Sequence, residues 1–128
     1  IYGDNYFSFN LLELESFHKK TNADISILLD WREDISQSGV VSLDNNDRVI
    51  RFIEKPNSQD VKSRWISAGI YLLNPSIDFE IFKSGFDFGF DVFPALLESN
   101  CKIYGLKTKN KMITIDTPQM LNNALNNN

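Results

Sequence analysis

Histidine and cysteine are almost absent from this chain. One His, His18, and one Cys, Cys101, stand among 128 residues. Histidine-based catalysis and multi-histidine metal sites are therefore excluded. A single thiol forms no internal disulfide, which fits a cytoplasmic, reducing setting, and a lone Cys ahead of a strand carries no assigned role. Positive charge is also short: 13 Lys and Arg face 17 Asp and Glu, for a net charge of −4. With no basic stripe to neutralise phosphates, a nucleic-acid partner is not expected. No apolar run approaches the roughly 18 residues that span a bilayer, and nothing resembles a signal peptide, so a membrane is not expected either. The chain also opens without methionine, on Ile1-Tyr2-Gly3-Asp4, with no run-up to what reads as the tail of a strand. The expectation is the later part of a longer protein.

What is present suits one packed domain. Hydrophobic content of 42%, charge of 23% and ten Phe residues are enough for a sizeable core at this length. There are no internal repeats, and low complexity is confined to the Asn126-Asn127-Asn128 tail.

Taken in order, Gly3-Asp4-Asn5 reads as the turn leaving a strand, where Asp4 either shapes the turn or faces a ligand at the strand's carboxyl end. A helix is expected from about Asn10 to Lys20, with Asn10 as N-cap, a broad apolar face including Leu11, Leu12, Leu14 and Phe17, and His18 on its surface. Ile25 to Leu29 is a near-continuous apolar run suited to a strand buried on both faces. Residues 31–37 read as a loop. Gly39 to Leu43 and Arg48 to Lys55 flank the turn signal Asp44-Asn45-Asn46-Asp47 and predict an antiparallel hairpin. Gly39 marks either a strand start or a close backbone approach.

Trp65 to Leu73 forms a strand whose small residues Ser67, Ala68 and Gly69 leave room either for a ligand or for a bulky neighbour. A short helix is expected from Asn74 through Phe82, a linker from Ser84 to Gly89, and a helix opening at Asp91. Strands follow at Lys102–Leu106 and Met112–Ile115, joined by a basic turn (Lys107 to Lys111) whose lysines are read as solvated. Asp116-Thr117-Pro118 then opens a last helix. Asp116 caps that helix or holds a metal beside a phosphate. Alternation of strands and helices around a central hairpin predicts an α/β fold with a mixed, mostly parallel sheet flanked by helices.

The centre of the chain is Arg48-Val49-Ile50-Arg51-Phe52-Ile53-Glu54-Lys55-Pro56. It delivers a carboxylate and an ammonium side by side at a strand end. Alternating strand residues point to opposite faces, so Glu54 and Lys55 share one ligand only if the strand ends or bulges there. Pro56 ends it, and disposes Lys55 to an extended or turn conformation. The same pair also fits an ordinary solvated strand end.

Six segments in order carry a resemblance: Gly3-Asp4, Gly39-Val40-Val41, Phe52-Ile53-Glu54-Lys55-Pro56, Ser67-Ala68-Gly69-Ile70-Tyr71, Asp91-Val92-Phe93-Pro94 and Asp116-Thr117-Pro118. Together they resemble the sugar-1-phosphate nucleotidyltransferases, the nucleotide-sugar pyrophosphorylases. The Glu-Lys-Pro and Asp-Val-Phe-Pro segments look most like the mannose-1-phosphate and heptose-1-phosphate guanylyltransferases. The resemblance implies that Asp4 and Asp116 bind Mg²⁺, that Glu54 holds sugar hydroxyls and that Lys55 contacts the sugar phosphate. Asp4, Lys55 and Asp116 would be the catalytic set, while Gly39, Ser67 and the backbone near Ala68 and Gly69 line the sugar pocket. The implied partners are a sugar 1-phosphate and a nucleoside triphosphate such as GTP, joined by in-line attack on the α-phosphorus with release of pyrophosphate. Such chemistry needs positioning, metal and positive charge, and no His or Cys nucleophile.

Three departures qualify the match. The family's amino-terminal glycine-rich segment with its Arg and Lys is absent, so the resemblance implies a partial Rossmann-like nucleotidyltransferase fold, its sugar-phosphate-binding part over residues 1–128. Ser67 stands where the family often has Asn. Ile115-Asp116-Thr117-Pro118 is closer to the cytidylyltransferases of the wider superfamily, with Thr114 at the gapless match to the guanylyltransferase aspartate, which leaves the base open. An alternative is a non-catalytic sugar-phosphate-binding or regulatory module. The expected isolated chain is weakly active or inactive, serves surface-polysaccharide precursors, and self-associates through exposed apolar surface.

Overall fold

The computed structural model describes residues 1, 5–6, 9–57, 59–78, 80, 87–109, 113–115 and 117–126. Its central strand is β2 (Ile25–Trp31), buried along its whole length except at Trp31. Apolar side chains on both faces let it sit inside the sheet, as the near-continuous apolar run predicts. On one side β5 (Trp65–Leu73) runs antiparallel to β2, and on the other β6 (Ile103–Lys107) runs parallel to it. The hairpin of β3 (Gly39–Leu43) and β4 (Val49–Glu54) completes the order β4-β3-β5-β2-β6, β3 meeting β5 antiparallel where Val40 faces Ile66.

The sheet is mixed, as expected, but not mostly parallel: among the described residues only the β2–β6 pairing is parallel. The β3–β4 turn is too short for anything but a reversal, since parallel neighbours need a crossover of a dozen or more residues. β2 and β6 have such a crossover, because the hairpin, β5 and α2 (Phe93–Glu98) lie between them.

Alternation along β2 splits the core into two layers. Ile25, Ile27 and Leu29 pack with Val41, Phe52, Phe93 and Leu96 on the α2 face. Leu28 packs with Leu14, Val40, Ile66, Ala68 and Ile70 on the face covered by α1 (Leu11–Thr21). Asn10 caps α1 by accepting from the Leu12 amide at 3.0 Å, and Asn22 ends it in the left-handed conformation, φ 48°. The apolar face of α1 is narrower than its sequence suggests. Leu14 is buried, whereas Leu11 and Leu12 are 53% and 66% exposed. His18 is not a free surface residue either, because its Nδ1 lies 2.8 Å from the hydroxyl of the fully buried Ser26.

The hairpin rolls over the α2 face until it meets the far edge of the sheet. Asp44 shapes the turn by accepting from the amides of Asn46 and Arg48. Arg48 bridges to Tyr104, and the Gly105 amide donates to the Asp47 carbonyl at 2.9 Å. Gly105 makes this closure possible, since a Cβ there would lie 2.4 Å from Leu29 Cδ1 and 3.0 Å from Leu43 Cδ2. Lys107 is correspondingly not simply solvated. It ends β6, pairs with Asp47 at 2.7 Å and lies over the Trp65 ring.

The helix expected to open at Asp91 begins earlier, as a π turn over Phe88–Val92 that runs into α2. Asp87 caps the turn, accepting from Gly89 and Phe90 amides at 2.7 and 2.8 Å, so residues 87–89 are not linker. The helix expected after Asn74 begins with a turn in which Asn74 accepts from the Ser76 amide, and most of its remainder lies outside the described residues. β1 (Asn5–Tyr6) pairs antiparallel with β7 (Ile113–Thr114), and α3 (Pro118–Asn126) follows as the Pro118 start predicts. Among the described residues no helix is long and apolar enough to cross a membrane.

Candidate functional site

Glu54 ends β4 directly opposite Gly39 on β3. It follows Phe52 by two residues, so its side chain leaves the strand on the α2 face, towards the π turn. Two glycines make the slot it occupies. A Cβ on Gly39 would sit 2.7 Å from Glu54 Oε2, and one on Gly89 only 2.1 Å from the same atom. The carboxylate is half-buried and accepts no hydrogen bond among the described residues. Burial pushes its pKa up, the Asp87 carboxylate adds to that rise, and Lys55 opposes it.

The row continues across the sheet. Val40 opposite Ile66 sets a register that brings Gly39 level with Ser67, and Ser67 faces Leu29 on β2. The Ser67 hydroxyl lies 2.9 Å from the Tyr71 hydroxyl and accepts from the Gly69 amide at 3.3 Å. Between Ser67 and Tyr71, β5 bulges: residues 68–70 stand against Leu28 alone. Gly69 takes φ 71° there, a conformation open to glycine at no steric cost. The Ala68 side chain packs into the α1-side core, which leaves only its backbone for a ligand. Beneath the row, Phe93 stacks on Phe52 with centroids 4.5 Å apart, and Tyr71 stacks on Phe88 at 5.4 Å. This aromatic layer fixes the floor of the site and ties Tyr71 to the π turn.

Lys55 turns elsewhere. Its φ is 46°, with its amide donating to the Ser38 carbonyl at 3.0 Å. A left-handed residue before proline, other than glycine, costs on the order of 1–3 kcal/mol and marks a strand end held by its surroundings. The exposed side chain lines an open cavity of about 660 Å³ with Ser36, Gln37, Pro56, Asn57, Gln59 and Asp60. Glu54 does not line that cavity. The strand end thus separates the two charges, one into a glycine slot and one into a polar cleft, and they form no ion pair with each other.

Asp4 and Asp116 lie outside the described residues. Among the described residues no group of three or more His, Cys, Asp or Glu could hold a metal ion.

The family model described as nucleotidyl transferase matches residues 1–112. The chain belongs to the nucleotidyl transferase family. Its curated relatives include a glucose-1-phosphate adenylyltransferase of Clostridium acetobutylicum, 31% identical over 93% of this chain and 33% of the relative. Another is a mannose-1-phosphate guanylyltransferase of Mycobacterium tuberculosis, 32% identical over 91% of this chain and 33% of the relative. A solved structure of a putative glucose-1-phosphate thymidylyltransferase from Bacillus anthracis, in complex with a sucrose, superimposes with a TM-score of 0.75. It is 21% identical and covers 95% of this chain and 50% of that one, and so speaks for the fold alone. This nucleotidyl transferase chain spans about a third of the length of these curated relatives.

The sequence singled out Gly39, Glu54, Lys55 and Ser67; it gave no role to Gly89, Asp87, Tyr71 and Phe88, which the fold places beside them. Tyr71 carried a signal, standing four residues after Ser67 in a strand and therefore on the same face. Gly89 carried none, because its closeness to Glu54 spans 35 residues of chain.

Proposed function

We propose that residues 1–128 are the sugar-phosphate-binding part of a sugar-1-phosphate nucleotidyltransferase. That enzyme transfers a nucleotidyl group from a nucleoside triphosphate to a sugar 1-phosphate and releases pyrophosphate. One observation carries the reading: Glu54 is half-buried, has no hydrogen-bond partner among the described residues, and sits in a slot formed by two glycines. A half-buried carboxylate with no donor among the described residues suits hydroxyl donors from a ligand, and charge-assisted bonds of this kind are roughly twice as strong as neutral ones. In this reading Glu54 holds sugar hydroxyls, Ser67 and the backbone at Gly39, Ala68 and Gly69 complete the wall, and Lys55 reaches the phosphate as a point charge.

Asp4 and Asp116 are proposed, on the resemblance alone, to hold Mg²⁺. A bound Mg²⁺ would supply charge stabilisation at the transferring phosphate. The guanylyl type, making GDP-mannose or GDP-heptose, is the proposal supported by Asp91-Val92-Phe93-Pro94 and by the mycobacterial relative. The Clostridium relative supports an adenylyl type equally. Val92 and Phe93 are core residues, so this motif speaks first for the fold and discriminates the base weakly.

Calorimetric titration with the 1-phosphates of mannose, heptose and glucose, with and without Mg²⁺, tests the reading. Binding by the wild-type chain that Glu54→Gln weakens is expected. Absence of binding by a folded wild-type chain overturns it.

A further inference from the structure

Gly89 has no backbone reason to be glycine. It lies within the π turn Phe88–Val92, it is not among the residues with positive φ, and its amide is already held by Asp87. In a helical interior Ala is favoured over Gly by about 1 kcal/mol. What the position does have is a neighbour: an added Cβ would meet Glu54 at Oε2, Cδ and Cγ, at 2.1, 2.8 and 3.0 Å. All three atoms belong to the outer part of one flexible side chain, so the carboxylate is what must move, not the fold.

We infer that Gly89 is a positioning residue for the sugar-binding carboxylate, its missing side chain being the space that holds Glu54 aimed along the sheet row towards Gly39 and Ser67. The inference deepens the proposed function and rests on that reading for the ligand, though not for the placement of Glu54. The π turn is then one wall of the site. Asp87 caps the turn at one end and acts on Glu54 with like charge, Lys55 offsets that charge, and Phe88 anchors the turn to Tyr71.

The test compares Gly89→Ala, the double variant Gly89→Ala with Glu54→Asp, and Phe90→Ala. Phe90→Ala perturbs an exposed side chain of the same turn. Aspartate draws the carboxylate back by about 1.5 Å, one carbon–carbon bond. Two readouts are used: the carbon-13 titration of the Glu54 carboxyl, and calorimetry with the sugar 1-phosphate that the wild type binds best. Gly89→Ala is expected to stay folded, to bring the Glu54 titration down towards the ordinary carboxylate range, and to weaken binding roughly tenfold or more, as for a lost bond to a charged group. The double variant is expected to recover part of that loss, and Phe90→Ala to change neither readout.

An unchanged Glu54 titration in Gly89→Ala overturns the inference. So does a binding loss that Glu54→Asp does not relieve, since a purely structural glycine would be indifferent to the length of its neighbour. If the wild type binds no sugar 1-phosphate, the functional reading falls while the titration still decides the placement.

Discussion

Replacing Glu54 by Gln should stabilise the fold while weakening the function, and the two effects have the same origin. The folded chain raises the proton affinity of Glu54 through burial and the Asp87 carboxylate, against Lys55. A carboxyl whose folded pKa lies above its unfolded value favours the protonated folded state. Below the unfolded value of 4.5 the penalty is absent. It develops as pH rises from there through the raised folded pKa, and above that it is fully present. Glutamine carries no charge and escapes it. Taking a polar group out of water without a protein partner costs about 1–3 kcal/mol, and more when it is charged. Glu54 is only half-buried, so solvent screening cuts this to about 0.5–1 kcal/mol. For a domain of this size that is a rise in Tm of about 2–6 °C.

Ligand binding should move the other way, because an amide accepts hydroxyl bonds without charge assistance. Losing the charge-assisted part, about 1–1.5 kcal/mol per bond, weakens the sugar 1-phosphate roughly fivefold to tenfold for each bond. Thermal melts at pH 4 and pH 8, with calorimetry at pH 8, read both effects. The variant should melt with the wild type at pH 4 and above it at pH 8. A lower melting temperature at pH 8 would show that the carboxylate serves the fold, and the reasoning from its raised proton affinity would be refuted.

Three further outcomes follow from the core and its edges. Phe93→Ala should lose about 3–5 kcal/mol in urea denaturation, because the ring is 1% exposed and stacks on Phe52; a loss under 1 kcal/mol would contradict the aromatic floor. Burial holds the His18 pKa below 6.5, against the pull of Asp24, so its stabilising contribution is present above that value and fades as pH falls through it. His18→Gln should therefore flatten the stability profile between pH 7 and 5, and an unaltered slope would count against the burial of the ring. Cys101, pushed up to about 11 by burial and Asp24, should alkylate far more slowly at pH 8 than an ordinary thiol; modification at the rate of free cysteine would show the thiol open to solvent.

How much of this was legible in the sequence depended on how local each cause was. β3, β5 and α3 fall where turn signals and apolar periods put them, since caps, turn residues and branched side chains act within a few positions. The direction of the strands was less legible. The Asp44–Asp47 turn is visible, but the rolling of the hairpin onto β6 depends on the space above Gly105, which involves Leu29 and Leu43 from elsewhere. The apolar face of α1 was overestimated because sequence shows which residues are apolar, not which surface they meet. Leu11 and Leu12 begin the helix beyond the edge of what Leu14 covers.

The candidate site shows the same limit more sharply. Glu54, Lys55 and Pro56 announce themselves as charges before a proline, and sequence alone sets them on one ligand. The fold instead twists the chain between them: Glu54 keeps strand alternation and turns under the π turn, while Lys55 takes a left-handed backbone and lines the cleft beside Pro56. A ligand engaging both must therefore lie across the end of β4, with a hydroxylated part in the glycine slot and an anionic part on the cleft side. A sugar 1-phosphate has this division within one small molecule. A neutral sugar would leave Lys55 unused, and a bare phosphate would face the like-charged carboxylates of Glu54 and Asp87. Affinity should accordingly rank the sugar 1-phosphate above both the free sugar and inorganic phosphate. Equal affinity for phosphate alone would assign the site to anion binding and leave Glu54 without a ligand to hold.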